Sequence, residues 1–373
     1  MKAAIATIYQ VPNYGSVLQA FATQEIIRSL IGECYIINYK YPNEWHYRQG
    51  LRKDKLNLKK IIGRIIGLTP YYRRLKKLDT FRRNNLCLTR LYESFDELNA
   101  DGFKDYNLLI AGSDQIWNTK YQKGDPFFTL SFAADGIRRI SIASSFAQKS
   151  LDKKFEQHYK AELSKFAALS VRETNGIGII NAQLGIEKNV AHLLDPTLLL
   201  SKKEWMNVIP RSKFKKKRKY ILWYVLSYAF KPKPYICDVA KWFRDKFGEC
   251  DVIALEGYCK DLDSENFKMR NMEDSSISQF IDLFANADLV ITSSFHGTAF
   301  ATNFGKPLIS VVPDNDGDDR QVSLLNSLGL QGCIARIGAP IENIMPYYDA
   351  EITEKQLNVI RENNIAWIRN NIK

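Results

Sequence analysis

Histidine is scarce in this 373-residue chain: there are four, His46, His158, His192 and His296. The six cysteines (34, 87, 237, 250, 259 and 333) are scattered without the paired spacing of a zinc site or a redox dithiol. That usage points to free thiols in a reducing compartment. No apolar run reaches the length of a membrane span, and the start of the chain carries no signal-peptide pattern. The expectation is a soluble, cytoplasmic protein that needs neither metal nor resident cofactor. The loop after the first predicted strand lacks both GxGxxG and a Walker lysine, which argues against a dinucleotide or nucleoside-triphosphate phosphate loop. What is present is an ordinary globular composition, 45% hydrophobic, with length enough for two domains.

The order of elements predicts an α/β protein. A first strand over 2–8 runs into a Gly-bearing loop and a helix over 17–30. Apolar β-branched runs near 108–111, 139–143, 167–171 and 190–194 predict further strands, with helical stretches at 151–165 and 175–184 between them. The basic run 211–219 marks an exposed boundary. A second series follows, with strands at 220–226, 251–255, 288–292 and 308–312 and helices near 234–247, 277–286, 295–303 and 321–328. Such alternation builds mostly parallel sheets. We expect an N-terminal Rossmann-like domain over 1–200, a second over 201–350, and a final helix over 351–373 that returns to the first domain. Thr353, with Gln356 three residues on, reads as the cap of that helix.

Charge is concentrated in one place. Residues 48–90 hold fourteen Lys or Arg against Asp54 and Asp79, a difference of +12 that equals the net charge of the whole chain. Leu58, Ile61, Ile62, Ile65 and Ile66 form a helical stripe, and Lys55, Lys59, Lys60 and Arg64 lie mostly off it. A basic amphipathic insertion of this kind can lie on an anionic membrane or stand as a solvated face. Nucleic acid is not expected, because no recognised binding module accompanies the charge. The acidic run Asp314-Asn-Asp-Gly-Asp-Asp-Arg320 begins like a calcium loop, but glycine and glutamate are absent at loop positions six and twelve, so an EF-hand is rejected.

Residues suited to chemistry sit where predicted strands end. His296 follows Ser293-Ser294 and precedes Gly297, at the first turn of a helix whose free N–H groups favour anions. Asp114 follows a buried strand in Gly112-Ser113-Asp114-Gln115, where it can cap a turn or accept a hydroxyl proton. Arg172 ends another strand; it can clamp a phosphate or carboxylate, or simply pair with Glu173. Asn13 and Gly15 face a ligand or serve the loop's own geometry.

Taken together, Asn13-Tyr-Gly-Ser-Val-Leu-Gln19, Gly112-Ser-Asp-Gln-Ile-Trp-Asn118, Ser170-Val-Arg-Glu173, Asp195-Pro-Thr-Leu-Leu199 and Thr292-Ser-Ser-Phe-His-Gly297 resemble the motifs of the polysaccharide pyruvyl transferase family, in the family's order. The resemblance implies a GT-B-like architecture, two Rossmann-like domains with the site in the cleft between them. It also implies transfer of pyruvate from phosphoenolpyruvate, as co-substrate, to two hydroxyls of a hexose, forming a cyclic ketal and releasing phosphate. The acceptor would be a cell-surface glycan precursor, often lipid-linked, which fits peripheral placement on the inner face of the cell membrane. By the same resemblance His296 and Asp114 are the catalytic candidates. Arg172 and Arg320 would bind the donor, although some relatives have Lys where Arg320 stands. Ser294, Gly297, Asn13, Gly15 and Ser113 complete the expected substrate-binding set. Two other readings remain: a GT-B glycosyltransferase using a nucleotide-sugar, with Glu256-Gly257 at a ribose, and a non-catalytic glycan-binding homologue.

Overall fold

A computed structural model describes residues 1–42, 69–248, 250–259, 262 and 269–373. The stripe at 58–66, with Lys55, Lys59, Lys60 and Arg64, lies outside the described residues.

The first lobe is a parallel sheet of β1 (Lys2–Ala6), β2 (Glu33–Tyr39), β3 (Leu88–Tyr92), β4 (Leu108–Ala111) and β5 (Arg138–Ser141), in the order β3-β2-β1-β4-β5. A short parallel pair, β6 (Leu169–Val171) and β7 (Val190–His192), joins its edge through the bridges Ile140–Ala168 and Ser144–Val171. The second lobe holds β8 (Tyr220–Tyr224), β9 (Asp251–Glu256), β10 (Met269–Asn271), β11 (Leu289–Thr292), β12 (Leu308–Val312) and β13 (Ile334–Arg336). Their order is β10-β9-β8-β11-β12-β13, again all parallel. The central strands read as unbroken apolar runs because helices cover both faces of each sheet. All five residues of β8 are buried, as are all four of β11.

Six helices matter for the site: α1 (Tyr14–Ile31), α2 (Pro70–Asn85), α3 (Ile277–Asn286), α4 (Phe295–Asn303), α5 (Arg320–Ser327) and α6 (Ala350–Asn371). Between the lobes α1 packs on α3 and on the segment 196–205. Tyr14 stacks on Phe280 with ring centres 4.8 Å apart, and Phe21 approaches Trp205, which in turn meets Phe300. One apolar core therefore runs from Ile5 and Ile110 of the first sheet to Leu222 and Ile253 of the second. From α6, Asn364 accepts a hydrogen bond from the Leu194 amide, and the carbonyl of Asn371 accepts one from Arg138.

Two sequence expectations about helix starts are corrected. The first helix begins at Tyr14 rather than 17, because Asn13 caps it through the amides of Gly15 and Ser16. The last begins at Ala350, capped by Asp349 through the amides of Glu351 and Ile352; Thr353 lies inside it and bonds the Asp349 carbonyl. No helix among the described residues is long and apolar enough to cross a membrane. Among those residues no three His, Cys, Asp or Glu side chains converge as metal ligands would.

In each sheet the order in which strands are added reverses across one parallel pair, β1/β4 in the first lobe and β8/β11 in the second. Ligands of open α/β sheets bind outside the carboxyl ends of the strands at such points. Here the two reversal points face each other.

Candidate functional site

Loops from both lobes meet there. After β1 comes Asn13, with its side-chain oxygen spent on capping, and then Gly15. Gly15 presses against the other lobe: a β-carbon at this position would lie 2.1 Å from Nδ1 of His296. Its lack of a side chain is thus what admits the imidazole. After β4 come Ser113 and Asp114, the latter with φ at +72°. Ala143 and Ala147, past the end of β5, also have positive φ, +50° and +49°. Non-glycine residues held in this region cost on the order of 1–3 kcal/mol each and cluster where function requires them.

The charged centre is Asp195. Its Oδ2 accepts from the Ser113 hydroxyl and from Arg172 Nη1, both at 2.7 Å, and its Oδ1 accepts from the amide and hydroxyl of Thr197. His296 Nε2 stands 3.7 Å from Asp195 Oδ2. Burial pushes the Asp195 carboxyl up, but His296, Arg172 and Thr197 beside it outweigh burial and hold it well below the usual carboxylate range. Asp114 accepts from the Ser16 hydroxyl at 2.6 Å and from the Gln115 amide at 2.8 Å, and its Oδ1 lies 3.7 Å from Arg172 Nη2. Hence Arg172 pairs with Asp195 and Asp114 rather than with Glu173, the partner that sequence proximity suggested. Nε and Nη2 of Arg172 and Nε2 of His296 are buried without a hydrogen-bond partner. A buried donor left unmatched costs about 1–3 kcal/mol, so an oxygen-rich ligand placed here would recover it.

Arg320 starts α5 and binds both oxygens of Asp318. It joins the cluster at its edge: the Phe295 ring lies 4.2 Å from the Arg172 guanidinium carbon and 5.9 Å from that of Arg320. Ser294 caps α4 through the Gly297 amide. At Gly297 a β-carbon would lie 2.2 Å from Thr292 Oγ1 and 3.0 Å from Tyr224, so what approaches this glycine closely is the lobe's own β8 and β11. Asn13, Ser294 and Gly297 accordingly shape the loops. Ser113, Asp114, Arg172 and His296 are brought together around Asp195, and none of these five residues is more than 6% exposed. Asp114, Arg172 and His296 thus lie together in a buried cluster between the lobes.

Glu173, read from the sequence only as a partner for Arg172, adds a third carboxyl beside Asp114 and Asp195. Its Oε1 accepts from the amides of Phe146 and Ala147, and Oε2 is buried without a partner. Burial pushes it up to about 7; Arg172 opposes the rise and Asp319 adds to it. Asp195 was visible only as part of an Asp-Pro-Thr turn, a pattern that signals a helix start. Ser16 gave no signal of its own.

Among the described residues, two sizeable cavities flank the cluster. One, of about 400 Å³, lies between α2 and the ends of β8 and β9, lined by Tyr71, Arg74, Tyr228, Glu256, Gly257 and Glu273. Arg74 grips both oxygens of Glu256 across the lobes, so that carboxylate is already engaged. The other, of about 200 Å³, opens beside Asp114 between the loops after β4 and β5 and those after β8 and β12.

Comparison with curated proteins returned no significant match. The fold is similar to that of a solved UDP co-structure and of solved UDP-GlcNAc 2-epimerases. The MnaA–UDP co-structure from S. aureus aligns with TM-score 0.54 at 10% identity, covering 96% of this chain and 91% of that one. UDP-GlcNAc 2-epimerase from Neisseria meningitidis, bound to UDP-GlcNAc, gives TM-score 0.54 at 11% identity over 99% and 98%. The Methanocaldococcus jannaschii UDP-GlcNAc 2-epimerase gives 0.52 at 11% over 96% and 99%. These likenesses establish the GT-B-like architecture of two Rossmann-like lobes. The model of the family described as polysaccharide pyruvyl transferase matches residues 13–315, a span that contains every motif at the interlobe cluster, and the chain belongs to that family.

Proposed function

We propose that the chain transfers pyruvate from phosphoenolpyruvate to two hydroxyls of a hexose in a glycan precursor. The observation that carries this reading is the set of buried, unmatched donors on Arg172 and His296, which meet at the facing reversal points of the two lobes. A donor with a carboxylate and a phosphate supplies the oxygens that such donors lack. Family membership supports the reaction class.

In this mechanism a proton adds to the methylene carbon of phosphoenolpyruvate and leaves a cationic centre at C2. One sugar oxygen attacks C2, phosphate departs with the C2–O bond, and the second hydroxyl closes the ketal. Of the two hydroxyl protons released, one balances the proton gained by the methyl group and the other leaves on phosphate. His296 is the imidazole placed to supply and collect protons, with Asp195 Oδ2 3.7 Å from its Nε2. Asp114, already holding Ser16 and the Gln115 amide, orients Arg172 and the loop. No step calls for a metal.

A second reading, a nucleotide-sugar enzyme, is favoured by the similarity of fold to the UDP co-structure and the UDP-GlcNAc 2-epimerase, and by the cavity at Glu256-Gly257. Calorimetry with phosphoenolpyruvate and with UDP-sugars decides between them, together with phosphate release in the presence of nitrophenyl hexosides. Phosphoenolpyruvate binding and release of phosphate support the proposal, and His296→Gln should then cut turnover by about 10²–10⁴. Binding of UDP-sugars with no binding of phosphoenolpyruvate would replace it.

A further inference from the structure

The smaller cavity, about 200 Å³, is lined by Gln115, Asn118, Tyr121, Gln148, Phe230 and Asn315, with Lys120 and Asp318 at its edge. It draws on both lobes at the carboxyl ends of β4, β5, β8 and β12, and so sits within the interlobe cleft. Its walls are contiguous with the buried cluster. Gln115 follows Asp114, the Ala147 amide in the lining is held by Glu173, and Asp318 holds Arg320.

The lining is unusual in composition. Four carboxamides line the space, a group that both donates and accepts, although Asn315 is held in its own turn by Asp314 and the Gly317 amide. Gln115 and Asn118 are buried and fixed: Asn118 donates to Gln115 Oε1 at 2.9 Å, and Gln115 donates across the lobes to the Tyr228 hydroxyl at 3.1 Å. Gln148 shares a hydrogen bond with Thr119 at 3.3 Å. Phe230 and Tyr121 add apolar ring surface. Asp318 is already held by Arg320, which leaves Lys120 as the cation in the lining. The volume of the space is below the roughly 300–1,000 Å³ of sites for drug-sized ligands, which suits a single sugar ring and not a nucleotide. Hydroxyls that donate and accept match the carboxamides, and the C–H face of a pyranose matches an aromatic ring.

We infer that this cavity is the subsite for the acceptor's hexose ring, with Gln148 reading hydroxyls and Phe230 packing on the ring face. The word acceptor rests on the proposed pyruvyl transfer; the binding of a sugar here does not. The larger cavity is the competing location, and its acidic lining of Glu256 and Glu273 makes it the control.

The test uses the full chain, saturation-transfer NMR and calorimetry with nitrophenyl glucoside, galactoside and mannoside, and separate titration with phosphoenolpyruvate. At least one hexoside should bind wild type. Gln148→Ala and Phe230→Ala should each weaken it tenfold or more, with unchanged unfolding midpoints and unchanged phosphoenolpyruvate binding, while Tyr71→Ala in the larger cavity leaves it intact. The inference is overturned if no hexoside binds, if both variants bind as wild type does, or if Tyr71→Ala is the change that abolishes binding. Hexoside binding through Gln148 and Phe230 without any binding of phosphoenolpyruvate would keep the sugar site and discard the pyruvyl reading. Phosphate release that is insensitive to both variants would do the reverse.

Discussion

Replacing Gly15 by alanine should disable His296 from the opposite lobe. The added methyl would lie 2.1 Å from Nδ1, 2.2 Å from Cγ and 2.7 Å from Cβ of that residue. These atoms form the root of the imidazole, not a loose end that can swing aside. Non-bonded heavy atoms rest at about 3.5 Å, so the ring has to retreat by roughly 1.4 Å or the lobes must part. Overpacking of this kind costs about 1–3 kcal/mol of stability. A displacement of about 1 Å at a catalytic group costs on the order of 10² in rate. The expected outcome is a folded protein with a modestly lowered midpoint, turnover down by about 10², and a shifted His296 resonance in histidine-labelled protein. Gly178→Ala is the matched control, because nothing lies within 4 Å of the new methyl. A helical glycine replaced in open space gains roughly 0.5–1 kcal/mol. An unshifted His296 signal together with normal turnover in Gly15→Ala would refute the contact between the lobes.

Arg172→Ala strips Asp195 of its buried partner and should cost about 3–5 kcal/mol in chemical denaturation; Arg172→Lys, which keeps the charge but loses the fork, should weaken phosphoenolpyruvate binding by about 1.5–3 kcal/mol in calorimetry. Glu173, raised to about 7 by burial, contributes stability that is full below the ordinary carboxyl range near 4.5 and lost as pH rises to about 7. Glu173→Gln keeps the acceptor for the Phe146 and Ala147 amides, so its midpoint should gain on wild type across that window and run parallel above it; parallel curves throughout would contradict the assignment. For the basic segment, sedimentation with anionic vesicles should show salt-sensitive binding that is lost when Lys55, Lys59, Lys60 and Arg64 become Gln. Equal partitioning of wild type and variant would return the segment to a solvated face.

Much of the architecture was legible because both sheets are buried on two sides and their strands announce themselves as apolar runs. His296, Asp114 and Arg172 were legible as polar residues placed just past those runs. What joins them was not. Asp195 binds Ser113, Arg172 and Thr197 from separate segments, and local sequence records only the last of these. The pairing of Arg172 illustrates the limit: Glu173 is adjacent in sequence, yet its carboxyl turns to the backbone of 146–147. Gly15 was read as facing a ligand or serving its loop, and Gly297 as part of the substrate-binding set; only the fold reveals what approaches them, His296 and Thr292. Thr353 misled because a capping pattern is local, and Asp349 offered the chain a cap one turn earlier.

The unbroken apolar core beneath the cleft has a consequence for engineering. Phe21, Trp205, Phe280 and Phe300 belong to no single lobe, so a chimaera that exchanges one lobe for a relative's would have to inherit their complementary shapes as well. Expressed alone, either half would present this oily face to water and invite aggregation. Heating the intact chain should therefore melt both halves in one calorimetric event. Variation in specificity is left to the loops at the strand ends, which can change without disturbing that seam.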